Sequence, residues 1–374
     1  MLKLEKGSIS IRQFTIIVIV LTLGDSILIL PSGVAAISHQ DAWLSAWIGL
    51  VFGLLVVWFF SYMAGLFPNL SLIQYTTLIA GKWLGFFINL TFLIYFFFTE
   101  MCVSWQIGDF MATDNMPETP IESIEIMFFV IMVFAVRLGI DSIIRAAEIF
   151  FPWVILMLLV LMILLATQMD MERMRPILEN GMKPVIWGSL NAGSFPYMEI
   201  FCLLVIMPHV KEHKKVKRNF VVGALLGGIV INIILTQSIL VLGEYRTANT
   251  YYSSFALAQQ VSIRNIAERL EAIIAFTWII TTYIKTTLYF YALNIGIAQM
   301  LKLKDYKILT LPIGMISFAS IFISIPSSQF FSNIAIHYWA LYDIAMSLVV
   351  PLCLLGIYAV RKKKLRALVN QSSW

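Results

Sequence analysis

The chain has 374 residues, 60% of them hydrophobic and 13% charged, with a mean hydropathy of +0.87 and a formal net charge of +5. The apolar residues come in runs near twenty rather than in the amphipathic stripes of a water-soluble core, so the composition describes an all-α polytopic membrane protein. The positive charge then reads as loop bias, and no nucleic-acid partner is expected.

Runs of about twenty apolar residues place ten spans, at 11–38, 42–64, 83–108, 121–138, 142–167, 184–207, 219–242, 270–299, 307–325 and 335–360. Lys3, Lys6 and Arg12 ahead of the first run, with small residues at Gly33 to Ala36, imitate a signal peptide, but the many later spans favour retention as span one. With the N-terminus inside, 19 Lys and Arg fall on the cytoplasmic side, six fall outside, and Lys285 lies within a span. Both termini are therefore expected in the cytoplasm. Asp109 to Glu125 reads as a solvated acidic loop, Leu70 to Ala80 as a short interfacial helix, and Ser254 to Gln260 as a short helix in a longer outer segment. Gly223 and Gly227 read as a close helix-packing face. The polybasic tail 361–374 suits anionic lipid headgroups.

Two spans carry helix breakers. In the first, Gly24, Asp25 and Ser26 interrupt the run, and Pro31, Ser32 and Gly33 follow. In the sixth, Asn191, Gly193, Ser194 and Pro196 do so, and Glu199 comes one turn later. Interrupted backbone in hydrocarbon has unpaired amides and carbonyls that only protein or a water-lined cavity satisfies. Breaks in spans one and six divide the chain into five plus five, an inverted-repeat arrangement with repeat one at about 9–167 and repeat two at about 184–360. No residue-level repeat accompanies it.

Such paired breaks mark a midplane ligand site. Half-helix N-termini suit a carboxylate and unwound carbonyls an ammonium or cation, so the candidate ligand residues are Gly24, Asp25, Ser26, Asn191, Gly193, Ser194, Phe195 and Tyr283. The alternative is that the breaks are bends sealed by neighbouring helices, with Asp25 a simple N-cap. Ionisable residues inside spans mark a pathway or a buried pair, which singles out Glu100, Glu199, Lys285 and Asp343 as candidate proton or ion residues. Lys285 is expected either to take the place of a coupling cation beside the first break or to pair with Asp25, Glu100 or Asp343. Glu199 also has a plain reading, stabilisation by the helix dipole.

Enzyme, metal and cofactor signals are absent. HExxH, GxSxG and GxxxxGK[ST] do not occur, the four histidines are scattered, and Cys102, Cys202 and Cys353 have no disulfide or zinc spacing.

The order of ILILPSG, DAWLS at Asp41 to Ser45, FPNLSLIQY at Phe67 to Tyr75, GKWLG at Gly81 to Gly85, FPYMEIFCLLVIMP at Phe195 to Pro208 and ERLEAIIAFTW at Glu268 to Trp278 resembles the B subunits of nutrient germinant receptors of endospore-forming bacteria. These are a branch of the amino acid, polyamine and organocation (APC) transporter superfamily. The resemblance implies a LeuT-like fold with broken helices 1 and 6, residence in the spore inner membrane, assembly with an A subunit and a lipoprotein C subunit, and sensing of a small nutrient such as an amino acid. An independent proton-coupled permease and a ligand-free scaffold or channel subunit are the alternatives.

Overall fold

The computed structural model describes residues 8–260 and 271–371, with side chains described as far as Lys362. Lys3, Lys6, Arg264 and Arg269 of the loop-charge count therefore lie outside the described residues, as do the side chains of 363–366 in the basic tail. The described residues are helical apart from short connections and an isolated parallel bridge between Ile9 and Val210.

Helix α1 (Ile11–Leu23) starts at a capping box of Ser10 and Gln13 and stops at Gly24. Gly24 has φ +28°, a conformation a Cβ disfavours, and α2 (Ser26–Ser38) resumes after Asp25. Pro31 inside α2 has no N–H to give the Ile27 carbonyl, and the Ser254 hydroxyl donates to that carbonyl instead at 2.8 Å. The long helices α3 (Ala42–Leu66), α5 (Lys82–Phe110) and α7 (Ile140–Ala166) are joined through α4 (Leu72–Ala80) and α6 (Ile121–Leu138). The second half begins with α8 (Met182–Met198) and a 3₁₀ stretch, Glu199–Val205, and continues through α9 (His213–Leu242), α10 (Glu244–Asn249) and α11 (Ser253–Gln259). It ends with α12 (Glu271–Met300), α13 (Lys307–Ser324), α14 (Ser328–His337), α15 (Trp339–Asp343), a π-helical turn Ile344–Val349 and α16 (Val350–Gln371).

Among the described residues seven helical stretches are long and apolar enough to cross a membrane. Of the remaining expected spans, α1 has 13 residues, α8 has 17, and α6 carries Glu122, Glu125 and Arg137. Large apolar side chains such as Val51, Leu55, Ile131, Phe134 and Ile163 point outward from the bundle, as they do where lipid is the solvent. The chain is an integral membrane protein.

The sixth-span break lies later than expected. α8 runs as α-helix through Asn191, Gly193, Ser194 and Pro196, and the winding changes only at Glu199. The small residues serve close approach instead. A Cβ on Gly193 would lie 2.8 Å from the Gly49 carbonyl and 2.6 Å from Phe52 Cδ1, so α8 is pressed onto α3. Gly223 and Gly227 of α9 meet Val18 and Thr22 of α1 in the same way, as their spacing predicts.

One loop reading needs correction. Asp114, Glu118 and Glu122 are exposed, but Asp109 and Glu125 are buried, so the acidic stretch is only in part a solvated loop. In the basic tail, Arg361 Nη1 donates to the Ile79 carbonyl at 2.8 Å, closing the C-terminal turn of α4. The short helices expected near Leu70 to Ala80 and Ser254 to Gln260 are α4 and α11.

Candidate functional site

Where α1 gives way to α2, the carbonyls of Gly24 and Asp25 accept from side chains of α12, and the Asp25 carbonyl also accepts from the Leu28 amide at 3.3 Å. Thr281 Oγ1 donates to the Gly24 carbonyl at 3.2 Å and Trp278 Nε1 to the Asp25 carbonyl at 3.3 Å. Each of these carbonyls thus has a protein donor on α12. Asp25 occupies the N-cap position of α2 without a side-chain cap bond. Its carboxylate reaches Lys285 Nζ at 2.5 Å, and the same ammonium contacts Glu199 at the start of the 3₁₀ stretch. All three side chains are fully buried.

The triad is held from several sides. Trp339 Nε1 donates to Glu199 Oε1 at 2.7 Å, and the Tyr289 hydroxyl donates to the Glu199 backbone carbonyl. Glu199 is therefore an ion-pair and hydrogen-bond centre, not merely a residue placed by a helix dipole. The Lys285 ammonium also lies 5.7 Å from the centre of the Phe195 ring. One buried ammonium serves two carboxylates, so each partner depends on the others for its solvation. Asp343 lies close to this cluster, its Oδ1 accepting from Tyr95 at 2.9 Å.

Above the triad lies a cavity of about 30 Å³, lined by Ser32, Gln106, Asn191, Phe195, Tyr251 and Trp339 among others. That is room for about one water. Gln106 Oε1 and the Tyr251 hydroxyl are buried there without a hydrogen-bond partner among the described residues, and Asn191 Nδ2 donates to the Ile336 carbonyl at 3.4 Å. Ser32, Tyr251 and Ile336 also line a second cavity, of about 570 Å³, whose walls include Asp109, Asp114, Gln259 and Ser328. The larger volume is in the range of small-molecule sites. The two cavities are adjacent, sharing Ser32, Tyr251 and Ile336 as walls, and the narrow one also has Trp339 and Phe195 in its lining.

The predicted residues thus separate into groups. Asp25, Glu199 and Lys285 come together in the triad with Gly24 beside Lys285, Phe195 lies against the ammonium, and Asn191 lines the narrow cavity. Ser26 is buried beside the break. Gly193 faces Phe52 and Gly49, and the Ser194 hydroxyl bonds the Asn191 carbonyl of its own helix, so neither lines a cavity described above. Tyr283 turns away from the site, with its hydroxyl on the Ile131 carbonyl at 3.4 Å and its ring against Phe128, and its assignment as a ligand wall is corrected. Glu100 is not an ion-pair partner of Lys285 and lies near Ser317 and Glu125. Among the described residues no group of three or more His, Cys, Asp or Glu has the placement of a metal centre.

Residues 8–332 match the family model described as spore germination protein. The chain belongs to that family. Its members include spore germination protein KB of Bacillus subtilis (strain 168), 28% identical over 368 residues that cover 97% of each chain. Spore germination protein YndE of the same organism is 27% identical, covering 80% of this chain and 82% of its own. Spore germination protein GerLB of Bacillus cereus is 22% identical over 87% and 88%. The fold of this spore germination protein is also that of solved transporters. Mhp1, a nucleobase-cation-symport-1 family transporter in a closed conformation with bromovinylhydantoin bound, superposes with a TM-score of 0.70 at 11% identity, over 96% of this chain and 80% of that one. A Na⁺-coupled sialic acid symporter in its substrate-bound outward-open state gives 0.57 at 12% identity, over 94% and 78%.

Sequence reasoning missed Trp339, Tyr95, Gln106 and Tyr251. Polar and aromatic residues in apolar spans are common, and only the tertiary fold turns these four inward. Thr281 and Trp278 had a signal: polar side chains in a span opposite a helix break are its natural donors.

Proposed function

We propose that this chain is the nutrient-sensing, transporter-like B subunit of a spore germinant receptor, with ten membrane spans in a five-plus-five inverted repeat and both termini in the cytoplasm. It would sit in the spore inner membrane with an A subunit and a lipoprotein C subunit, as the family resemblance implies. The observation that carries the reading is the Lys285 ammonium fixed between Asp25 and Glu199, behind the Trp339 and Phe195 walls of the narrow cavity. The two transporters of like fold are described as cation-coupled proteins. Here a covalently attached cation occupies the helix break, an arrangement suited to sensing a ligand without the cycling of a free ion.

The narrow cavity is the proposed ligand site. Its polar lining is uncharged, from Gln106, Asn191, Ser32 and Tyr251, and its other walls include Phe195, Phe331 and Trp339. Asp25, whose negative charge would repel a ligand carboxylate, is paired with Lys285, which it shares with Glu199, and that pairing weakens the repulsion. At about 30 Å³ the cavity must widen to admit one, and movement of Trp339 would transmit that widening to Glu199.

Spores carrying Asn191→Ala or Gln106→Ala test this reading with an amino acid panel as germinants. The expected result is a several-fold higher germinant concentration for half-maximal response at an unchanged protein level. Unaltered sensitivity in both variants would overturn the assignment of the cavity.

A further inference from the structure

Glu100 on α5 and Glu125 on α6 are fully buried and take no part in the Lys285 triad. Both oxygens of Glu100, Oε1 of Glu125 and the hydroxyl of Ser317 on α13 have no hydrogen-bond partner among the described residues. Ser104, one turn beyond Glu100 on the same face of α5, donates to Glu125 Oε2 at 2.9 Å. Gly108, one turn further, makes the room for this carboxyl: a Cβ there would lie 3.0 Å from Glu125 Cγ. The two acids and two hydroxyls therefore lie along one α5 face where α6 and α13 pack on it.

Among the described residues nothing cationic faces them. The charged neighbour of Glu100 is Glu125. α12 also packs along α5, but its Lys285 is taken by Asp25 and Glu199. The π-helical turn beyond Asp343 packs on α5 too, and Asp343 is bonded by Tyr95. Asp109, at the far end of α5, is held by Tyr252 and Ser328, and Asp114 beyond it is exposed. Arg137 and Arg145 flank the Gly139 turn at the opposite end of α6, and Lys307 is beside Tyr306, which reaches Val136 there. Two ionised carboxylates in such surroundings would be desolvated without compensation, whereas a neutral acid supplies an O–H for which Ser317 is an acceptor.

We propose that Glu100 and Glu125 form a proton-binding site in the α5, α6 and α13 junction, separate from the ligand cavity, which takes up protons when the junction is closed and releases them when it opens to water. The ligand is the proton alone, and Ser104 and Ser317 are its hydrogen-bonding partners.

Infrared spectroscopy of the full chain in phospholipid vesicles at neutral pH tests this. A carbonyl-stretch band of buried protonated carboxyl is expected, shifting in D₂O, weakened in both Glu100→Gln and Glu125→Gln, and displaced in Ser317→Ala, which keeps the test available where the first two variants fail to fold. A spectrum without that band in the unsubstituted protein would overturn the proposal, as would a band unchanged in all three variants. So would a rise in Tm with NaCl or KCl that Ser317→Ala abolishes, since that assigns the oxygens to a metal cation.

Discussion

Lys285 Nζ meets Asp25 Oδ1 at 2.5 Å across 260 residues of sequence, directly beside the point where α1 ends. Gly24 permits the contact. A Cβ there would lie 2.5 Å from Lys285 Cδ, and the φ of +28° disfavours any side chain. Gly24→Ala is therefore expected to destabilise the protein by about 1–3 kcal/mol, read as a lower Tm in detergent. Gly65→Ala, in open space on α3, is the control, expected to change stability by no more than about 1 kcal/mol and in the favourable direction.

Lys285→Met removes the cation and leaves Asp25 and Glu199 as adjacent buried carboxyls. Breaking a buried pair from one side costs about 3–5 kcal/mol, so a large loss of thermal stability is expected. Adding Asp25→Asn and Glu199→Gln to it restores part of that loss, because the triple variant buries no unpaired charge. A triple variant no more stable than Lys285→Met would show that the triad is not an electrostatic unit.

Trp339→Phe keeps the aromatic wall of the narrow cavity and deletes the indole N–H that Glu199 accepts. A lost hydrogen bond to a buried charged group costs about 1.5–3 kcal/mol. The same change is expected to shift the germinant response, whereas Tyr283→Phe, at a hydroxyl that faces Ile131, is expected to leave the response unchanged.

Ser254→Ala removes the donor that replaces the amide missing at Pro31. The stranded Ile27 carbonyl makes a loss of about 1–3 kcal/mol the expected result in thermal unfolding. Pro31→Ala combined with Ser254→Ala is expected to recover stability, because alanine in place of the proline supplies the amide again.

How much of this was legible in the sequence follows from what each residue does. The first break was readable because Gly24 and Asp25 interrupt an apolar run, and the intramembrane charges were readable because lipid makes each one expensive. The partner of Lys285 was narrowed to Asp25, Glu100 or Asp343, and the structure selects Asp25 and adds Glu199. The second break was misplaced by a turn. Gly193 and Pro196 are helix breakers by propensity, but packing of α8 on Gly49 and Phe52 keeps that stretch helical. Tyr283 was misassigned for a related reason: along α12 it lies near Lys285 in sequence yet faces α6. Cross-bundle neighbours such as Trp339 and Gln106 depend on helix rotation, which apolar runs all alike in hydropathy do not encode.

The proposed role of the fixed ammonium at the helix break is to make this protein a sensor without ion-driven transport. Binding and uptake of a labelled amino acid panel, measured in vesicles containing the chain with and without Na⁺ and proton gradients, tests it most directly. Saturable binding that is independent of Na⁺, with no accumulation against a gradient, is the expected result. Gradient-driven accumulation of any member of the panel would contradict it and identify a working permease.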